Sequence, residues 1–82
     1  MFEIILSQKA VKDFKKLDTN TGLQIARKLK EYSTNPLLYA RKLSDSKIGT
    51  FRFRIGDYRA IVDIEENKII VLKVGHRKDI YK

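Results

Sequence analysis

The chain has 82 residues and a formal net charge of +8, from 18 Lys and Arg against ten Asp and Glu, and it has no cysteine. This length predicts one small domain, residues 1–82, and the lack of thiols excludes disulfides, thiolate metal sites and cysteine nucleophiles. No segment resembles a signal peptide or reaches the ~20 apolar residues of a membrane span, so we expect a cytoplasmic protein without a membrane partner. The charge favours a polyanionic partner, with nucleic acid ahead of an acidic protein and an anionic membrane. A basic surface that serves only solubility is the alternative.

The first half of the chain predicts a strand followed by two helices. Phe2–Leu6 is a short apolar run, and Ser7 is a plausible N-cap for an amphipathic helix over Gln8–Leu17. A second amphipathic helix is predicted over residues 21–33, and any residue of Asp18-Thr19-Asn20 could cap it. Two helices joined by a few residues form an antiparallel hairpin.

The second half predicts a loop and three strands. Asn35-Pro36 ends the second helix, because the residue before proline avoids helical dihedral angles. Residues 37–48 show no sustained period and are predicted as a loop, with Leu38 and Leu43 packed beneath the helices. The strands are predicted at residues 49–55, 58–64 and 68–74. The fold class is therefore α+β, in the order β-α-α-β-β-β, with a helix hairpin on one face of a small, mainly antiparallel sheet.

The central stretch, Thr50–Ala60, alternates apolar and basic residues and is interrupted by Gly56-Asp57. Glycine in the first position predicts a type II′ hairpin turn. That turn places Arg54 opposite Arg59, and like charges in this position destabilise a sheet by roughly 0.2–1 kcal/mol. We interpret the pair as a binding site for an anion. Three solvated strand arginines are the alternative.

The next hairpin allows two registers. A three-residue loop, Glu65-Glu66-Asn67, with Asn67 in the left-handed conformation, places Lys73 opposite Arg59 on the basic face. A two-residue loop places Lys73 on the core face. The apolar pattern favours the three-residue loop.

The candidate chemistry rests on a basic cluster. With a single histidine, His76, and no phosphate-binding loop, the sequence predicts neither a metal site nor a cofactor. Guanidinium groups bind phosphate through a rigid fork of donors, and RNA carries its own nucleophile, the 2′-hydroxyl. One hypothesis is that the cations stabilise charge during in-line attack on an RNA phosphate, which gives a cyclic phosphate and a 5′-hydroxyl end. The other hypothesis is passive nucleic-acid binding. The cluster comprises Arg52, Arg54, Arg59, Lys73 and Arg77, with His76 and Tyr81 nearby.

These residues resemble the RelE/ParE superfamily of type II toxin–antitoxin toxins, and RelE more than ParE. The likeness covers essentially the whole chain in the right order. The segments that carry it are Ser7–Leu17, Asn35-Pro36, Phe51–Arg59, Val74-Gly75-His76-Arg77 and Asp79-Ile80-Tyr81.

The resemblance implies the β-α-α-β-β-β fold and a metal-independent mRNA interferase that cleaves mRNA in the ribosomal A site. It also implies a RelB-like antitoxin that wraps the toxin in a hetero-oligomer. By position, the catalytic candidates are Arg52, Arg54, Arg59, Arg77 and Tyr81, and the further RNA-binding candidates are Lys73, His76 and Lys78.

One departure from the family bears on the mechanism. Relatives often carry lysine at the positions of Arg52 and Arg54, and arginine stays charged where lysine can lose a proton. His76 and Tyr81 are then the candidates for moving a proton, unless His76 caps the last strand and Tyr81 packs or stacks. A ParE-like gyrase inhibitor and a weakly catalytic antitoxin-binding homologue are the alternative functions.

Overall fold

The computed structural model describes residues 1–44 and 49–81. Its strands form one sheet in the order β1-β5-β4-β3-β2, in which β1 runs parallel to β5 and all other pairs are antiparallel. The predicted α+β class is confirmed. The elements are β1 (Glu3–Leu6), α1 (Gln8–Lys16), α2 (Thr19–Tyr32), α3 (Pro36–Tyr39), β2 (Arg41–Lys42), β3 (Phe51–Ile55), β4 (Tyr58–Glu65) and β5 (Lys68–His76).

The helix starts follow from local capping. Ser7 Oγ accepts a hydrogen bond from Ala10 N at 3.0 Å and donates to Leu72 O at 2.9 Å, so it caps α1 and ties it to β5. The carboxylate of Asp18 accepts from Thr21 N at 2.7 Å, which identifies the cap of α2. Hydrogen bonding by the Thr21 side chain, and then by the Thr21 backbone N–H, lowers the pKa of Asp18. Among the helices of the described residues, none is long and apolar enough to cross a membrane.

The helices cover one face of the sheet, as predicted. Ala10, Ile25 and Leu29 are buried against side chains that project from β3, β4 and β5 on the same side. Burying one such aliphatic or aromatic side chain contributes about 1.5–3 kcal/mol to folding. The strand side chains of this core are Phe53, Ile55, Ala60, Val62, Ile69, Val71 and Val74.

The region predicted as a loop contains α3 and β2. Proline is favoured at the first position of a helix, and Pro36 begins α3 shortly after α2 has ended at Tyr32 with Ser33 as its C-cap. Leu38 is 69% exposed and Leu43 is half-buried, so the prediction that Leu38 packs beneath the helices is wrong. Residues 45–48 of the predicted loop lie outside the described residues.

The β3–β4 hairpin has the predicted register. Arg54 pairs with Arg59, Ile55 with Tyr58 and Phe53 with Ala60. Gly56 has a φ of 59°, as the first position of a type II′ turn requires.

The β4–β5 hairpin differs from the prediction. The turn is the two-residue Glu66-Asn67, and Glu66 rather than Asn67 adopts a positive φ, of 53°. An irregularity in the ladder then makes Leu72 an extra residue in β5, because Val62 pairs with Val71 and Ile61 with Lys73. The bulge returns Lys73 to the basic side of the sheet. The predicted partner of Arg59 is wrong, since Arg59 pairs with Gly75.

Candidate functional site

The sheet face opposite the helices carries Arg52, Arg54 and Arg59, and we call it the arginine face. The residues of one cross-strand pair project to the same side of a sheet, so Arg54 and Arg59 lie side by side. The pairing of Arg41 with Arg52 adds a second like-charged pair at the β2 edge. The face therefore concentrates positive charge where the helices do not cover it.

Arg59 is the buried member of this face, with 8% exposure. Its Nη1 donates to Gly56 O and to Tyr58 O, both at 2.8 Å, so the side chain fastens the β3–β4 turn. Among the described residues, its Nε and Nη2 groups have no hydrogen-bond acceptor. One edge of the guanidinium thus has a structural role and the other can bind an anion.

The charges around Arg59 show which side chains share the site. Burial, followed by the positive charges of Arg54, Arg52 and Arg77, lowers the pKa of Arg59, while Tyr81 acts in the opposite direction. Arginine remains a cation at neutral pH despite such a shift. The other four residues predicted as catalytic therefore lie within electrostatic reach of Arg59, and a bound phosphate would offset the repulsion that Arg59 receives from its neighbouring arginines.

Tyr81 reaches the arginine face through the turn that follows β5. Arg77 N donates to Asp57 O at 2.8 Å, and Arg77 Nε lies 3.7 Å from Asp57 Oδ1, which anchors this turn to the β3–β4 hairpin. Ile80 is buried over Gly75, where an added Cβ would lie 3.3 Å from Ile80 Cδ1. Arg52 Nη1 then donates to the Tyr81 hydroxyl at 3.2 Å.

Of the three further RNA-binding candidates, Lys73 lies on the same side of the sheet as Arg52, because both pair with Ile61, whereas His76 lies on the helix side. His76 pairs with Tyr58 on the helix side of the sheet, with the two rings edge-on at 5.4 Å. Its Nδ1 accepts from Lys78 N at 3.1 Å, so His76 caps the last turn. Lys78 is exposed, and Lys73 lines a pocket of about 240 Å³ with Lys9, Asp13 and Asp79.

Two residues with a part in this region were missed from the sequence. Arg41 lies on a two-residue strand, which is too short for a periodic signal. Asp13 is 7% exposed and accepts from Val74 N at 3.0 Å and from Lys9 Nζ at 2.6 Å. Its place three residues after Ala10 and four before Leu17, within the apolar stripe of α1, was the available signal.

The chemistry available at the site is that of cations and a phenol. In residues 1–44 and 49–81, no three or more His, Asp or Glu side chains converge as a metal site. The guanidinium groups can hold an anion, and the Tyr81 hydroxyl can donate a proton because its oxygen accepts from Arg52.

The sequence matches, over residues 4–81, the model of a family described as "ParE toxin of type II toxin-antitoxin system, parDE". This match spans nearly the whole chain. The chain belongs to the RelE/ParE superfamily of type II toxin–antitoxin toxins.

Individual relatives fall on the RelE side of this superfamily. Toxin RelG from Mycobacterium tuberculosis is 37% identical over 54 residues, which are 63% of this chain and 62% of RelG, so the chain spans less than two thirds of that curated relative. The crystal structure of the RelBE2 toxin–antitoxin complex from the same organism aligns with a TM-score of 0.84 and 25% identity, over 93% of this chain and 98% of that one. The isolated E. coli RelE toxin shares the fold, with a TM-score of 0.77 and 22% identity over 99% of this chain and 92% of RelE.

Proposed function

We propose that this toxin is an endoribonuclease that cleaves mRNA on the translating ribosome. The observation that carries the proposal is the pairing of Arg54 with Arg59 beside the Arg52–Tyr81 hydrogen bond. This arrangement provides cations for a phosphate and a hydroxyl for proton transfer. The similarity to toxin RelG over part of the chain supports a RelE-like rather than a ParE-like activity.

In the proposed reaction, the 2′-hydroxyl of the RNA gives its proton to water and attacks the adjacent phosphorus atom, while the bond to the 5′ oxygen of the next nucleotide breaks. The free edge of Arg59, with Arg54, binds the phosphate and stabilises its growing negative charge. Arg52 and Arg77 add to the positive field around it. The products are a cyclic phosphate and a 5′-hydroxyl end.

Tyr81 is the proposed donor of a proton to the departing 5′ oxygen. Its oxygen accepts from Arg52, which leaves the hydroxyl proton free to be donated. His76 serves less well, because its Nδ1 is occupied by the Lys78 backbone and its ring lies on the other side of the sheet. Tyr81 could also stack on an RNA base, because its ring is 47% exposed.

Among the residues that the structure describes, no arrangement of carboxylates for acid–base catalysis is found at the site, and this is our reason for assigning a role to the ribosome. A partner that holds the RNA in line for attack can lower the barrier by several kcal/mol. The other partner we propose is an acidic RelB-like antitoxin, since similar structures include the RelBE2 toxin–antitoxin complex. Both partners are consistent with a cytoplasmic toxin of net charge +8.

The test is expression without the antitoxin, followed by mapping of mRNA 5′ ends. We expect arrested growth and new 5′-hydroxyl ends within translated reading frames, with neither produced by an Arg59→Ala variant. Purified protein should cut mRNA in a translating mixture and leave naked mRNA largely intact. Equal cleavage of naked and translated mRNA would contradict the role of the ribosome.

A second candidate function is inhibition of DNA gyrase by binding, because the matching family model carries the ParE description. The same expression experiment separates the two functions. DNA damage with intact mRNA would favour the gyrase inhibitor, and cleaved mRNA without early DNA damage would favour the nuclease. A toxin that produced neither effect would be a weakly catalytic antitoxin-binding homologue.

A further inference from the structure

Cations occur in pairs at two successive levels of the sheet. Arg54 opposes Arg59 at one level, and Arg41 opposes Arg52 at the next. Arg52 and Arg54 are two residues apart on β3, so the levels are separated by about 6.6–6.8 Å along the strand. Each like-charged pair destabilises the sheet by roughly 0.2–1 kcal/mol. The second pair thus raises the same question as the first, and the roles proposed above involve Arg52 but leave Arg41 unexplained.

The second pair has no carboxylate to neutralise it among the described residues. The ion pairs there join Lys9 with Asp13, Lys28 with Glu31 and Arg77 with Asp57. Arg41 is exposed, and the hydrogen bond recorded for Arg52 goes to the uncharged Tyr81 hydroxyl. Within residues 1–44 and 49–81, the pair is therefore open to an anion from outside.

An edge strand often carries charge for another reason, which is to prevent pairing with other chains. Lys42 meets that need as well as Arg41 does, because both are exposed on β2. The two differ in direction: Lys42 pairs with Phe51, which packs on the helix side, whereas Arg41 pairs with Arg52 on the arginine face. A role in edge protection alone makes the two residues equivalent, and a ligand on the arginine face makes them different.

We infer that Arg41 and Arg52 form an outer phosphate subsite, which binds the phosphate next to the one held by Arg54 and Arg59. The ligand class is single-stranded RNA, whose backbone carries one negative charge per nucleotide. This inference rests on the proposed function. It adds Arg41 as a residue that binds the substrate and takes no part in the chemistry, and it sets the path of the RNA towards the β2 edge.

The test measures binding of a 2′-O-methyl RNA oligonucleotide, which cannot be cleaved, to the purified full chain. Fluorescence anisotropy gives the association constant between about 50 and 200 mM salt, where binding to single strands falls with a slope of about −0.7 per phosphate contact. We expect Arg41→Ala and Arg41→Gln to weaken binding and to reduce the steepness of this slope by about 0.7. Lys42→Ala, with the same loss of charge on the opposite side, should leave the slope unchanged.

Arg54→Ala serves as the positive control for the inner phosphate. If Arg54→Ala flattens the slope and Arg41→Ala does not, the outer subsite is wrong and the proposed function stands. If neither variant changes the slope, the proposed RNA site itself fails. Equal effects of Arg41→Ala and Lys42→Ala would overturn the subsite in favour of a general charge effect. The subsite would also be overturned if Arg41→Ala weakened the binding of an acidic peptide and left the binding of RNA unchanged.

Discussion

The two faces of the sheet use the same strands for opposite purposes. On the helix side, Phe53, Ala60 and Val62 are fully buried in an apolar core. On the other side, the residues in between place Arg54 against Arg59, and Arg59 is buried with its charge. Apolar contacts on the helix side stabilise the fold, whereas the like-charged pair on the arginine face destabilises it. We therefore expect substitutions on the helix side to change stability first and those on the arginine face to change activity first.

The largest effect should come from Arg59. Removing one donor that stabilises a transition state typically lowers a rate by ~10²–10³-fold, so Arg59→Ala should abolish toxicity and reduce single-turnover cleavage in a translating mixture to that extent. Arg59→Lys should recover little, because lysine lacks the planar fork that lets one edge bond Gly56 O and Tyr58 O while the other edge binds a phosphate.

Arg59 also fastens a turn, so its control must separate activity from folding. Arg54→Ala removes the opposing cation without touching the turn and relieves the like-charged pair. We expect Arg54→Ala to lose activity while its thermal unfolding midpoint stays level or rises. If Arg54→Ala lowered the activity and the unfolding midpoint together, the arginine face would contribute to stability in the same way as the helix side.

Tyr81→Phe should have the next largest effect. The phenylalanine ring can still stack on a base but has no proton to donate, so single-turnover cleavage should fall by ~10²-fold while ribosome affinity is kept. Tyr81→Ala removes the ring as well and should lower both. Full cleavage by Tyr81→Phe, with a loss only in Tyr81→Ala, would restrict Tyr81 to stacking and place the proton donor elsewhere.

The two hairpins show how far the sequence determines the fold. Gly56-Asp57 specifies its own turn, and the strict alternation on either side fixes the β3–β4 register as predicted. The β4–β5 turn places a glutamate at a positive φ, and a bulge at Leu72 then restores the pattern. A bulge changes which residues face the core and leaves no local signal in the sequence. The predicted three-residue loop and the observed two-residue loop with a bulge therefore fit the same apolar pattern.

The residues of the candidate site also differ in how well the sequence predicts them. Arg52, Arg54 and Arg59 were predicted because they sit in one hairpin, where sequence spacing gives spatial neighbours. Arg41 and Asp13 depend on contacts between distant segments, with Asp13 bonded to Val74 across 61 positions. His76 was grouped with the arginines by sequence proximity alone, and its position in the register sends it to the other side.

Asp13 joins helix α1 to strand β5 of the sheet, and substitutions there test how much this link contributes to stability. Beyond the end of β1, its carboxylate takes the place of a strand partner for Val74. Asp13→Ala leaves this buried N–H unpaired and should lower the free energy of unfolding by about 1–3 kcal/mol, measured by denaturant titration. Asp13→Asn keeps an acceptor oxygen and should lose less. If Asn proved as damaging as Ala, the pair with Lys9 would be the important contact and not the bond to β5.

The smallest effect should come from Glu66, which serves neither face. It is exposed at the β4–β5 turn with a φ of 53°, a conformation that costs an L-residue about 1–2 kcal/mol. Glu66→Gly removes this strain but loses more chain entropy on folding, by roughly 0.5–1 kcal/mol. The net expectation is a gain between about zero and 1.5 kcal/mol, seen as a rise of a few degrees in the unfolding midpoint, with RNA cleavage unchanged. Asn67→Gly is the matched control, because among the described non-glycine residues only Glu66 has a positive φ, and here glycine should bring no gain. A loss of stability in both variants would mean that the turn holds Glu66 without strain.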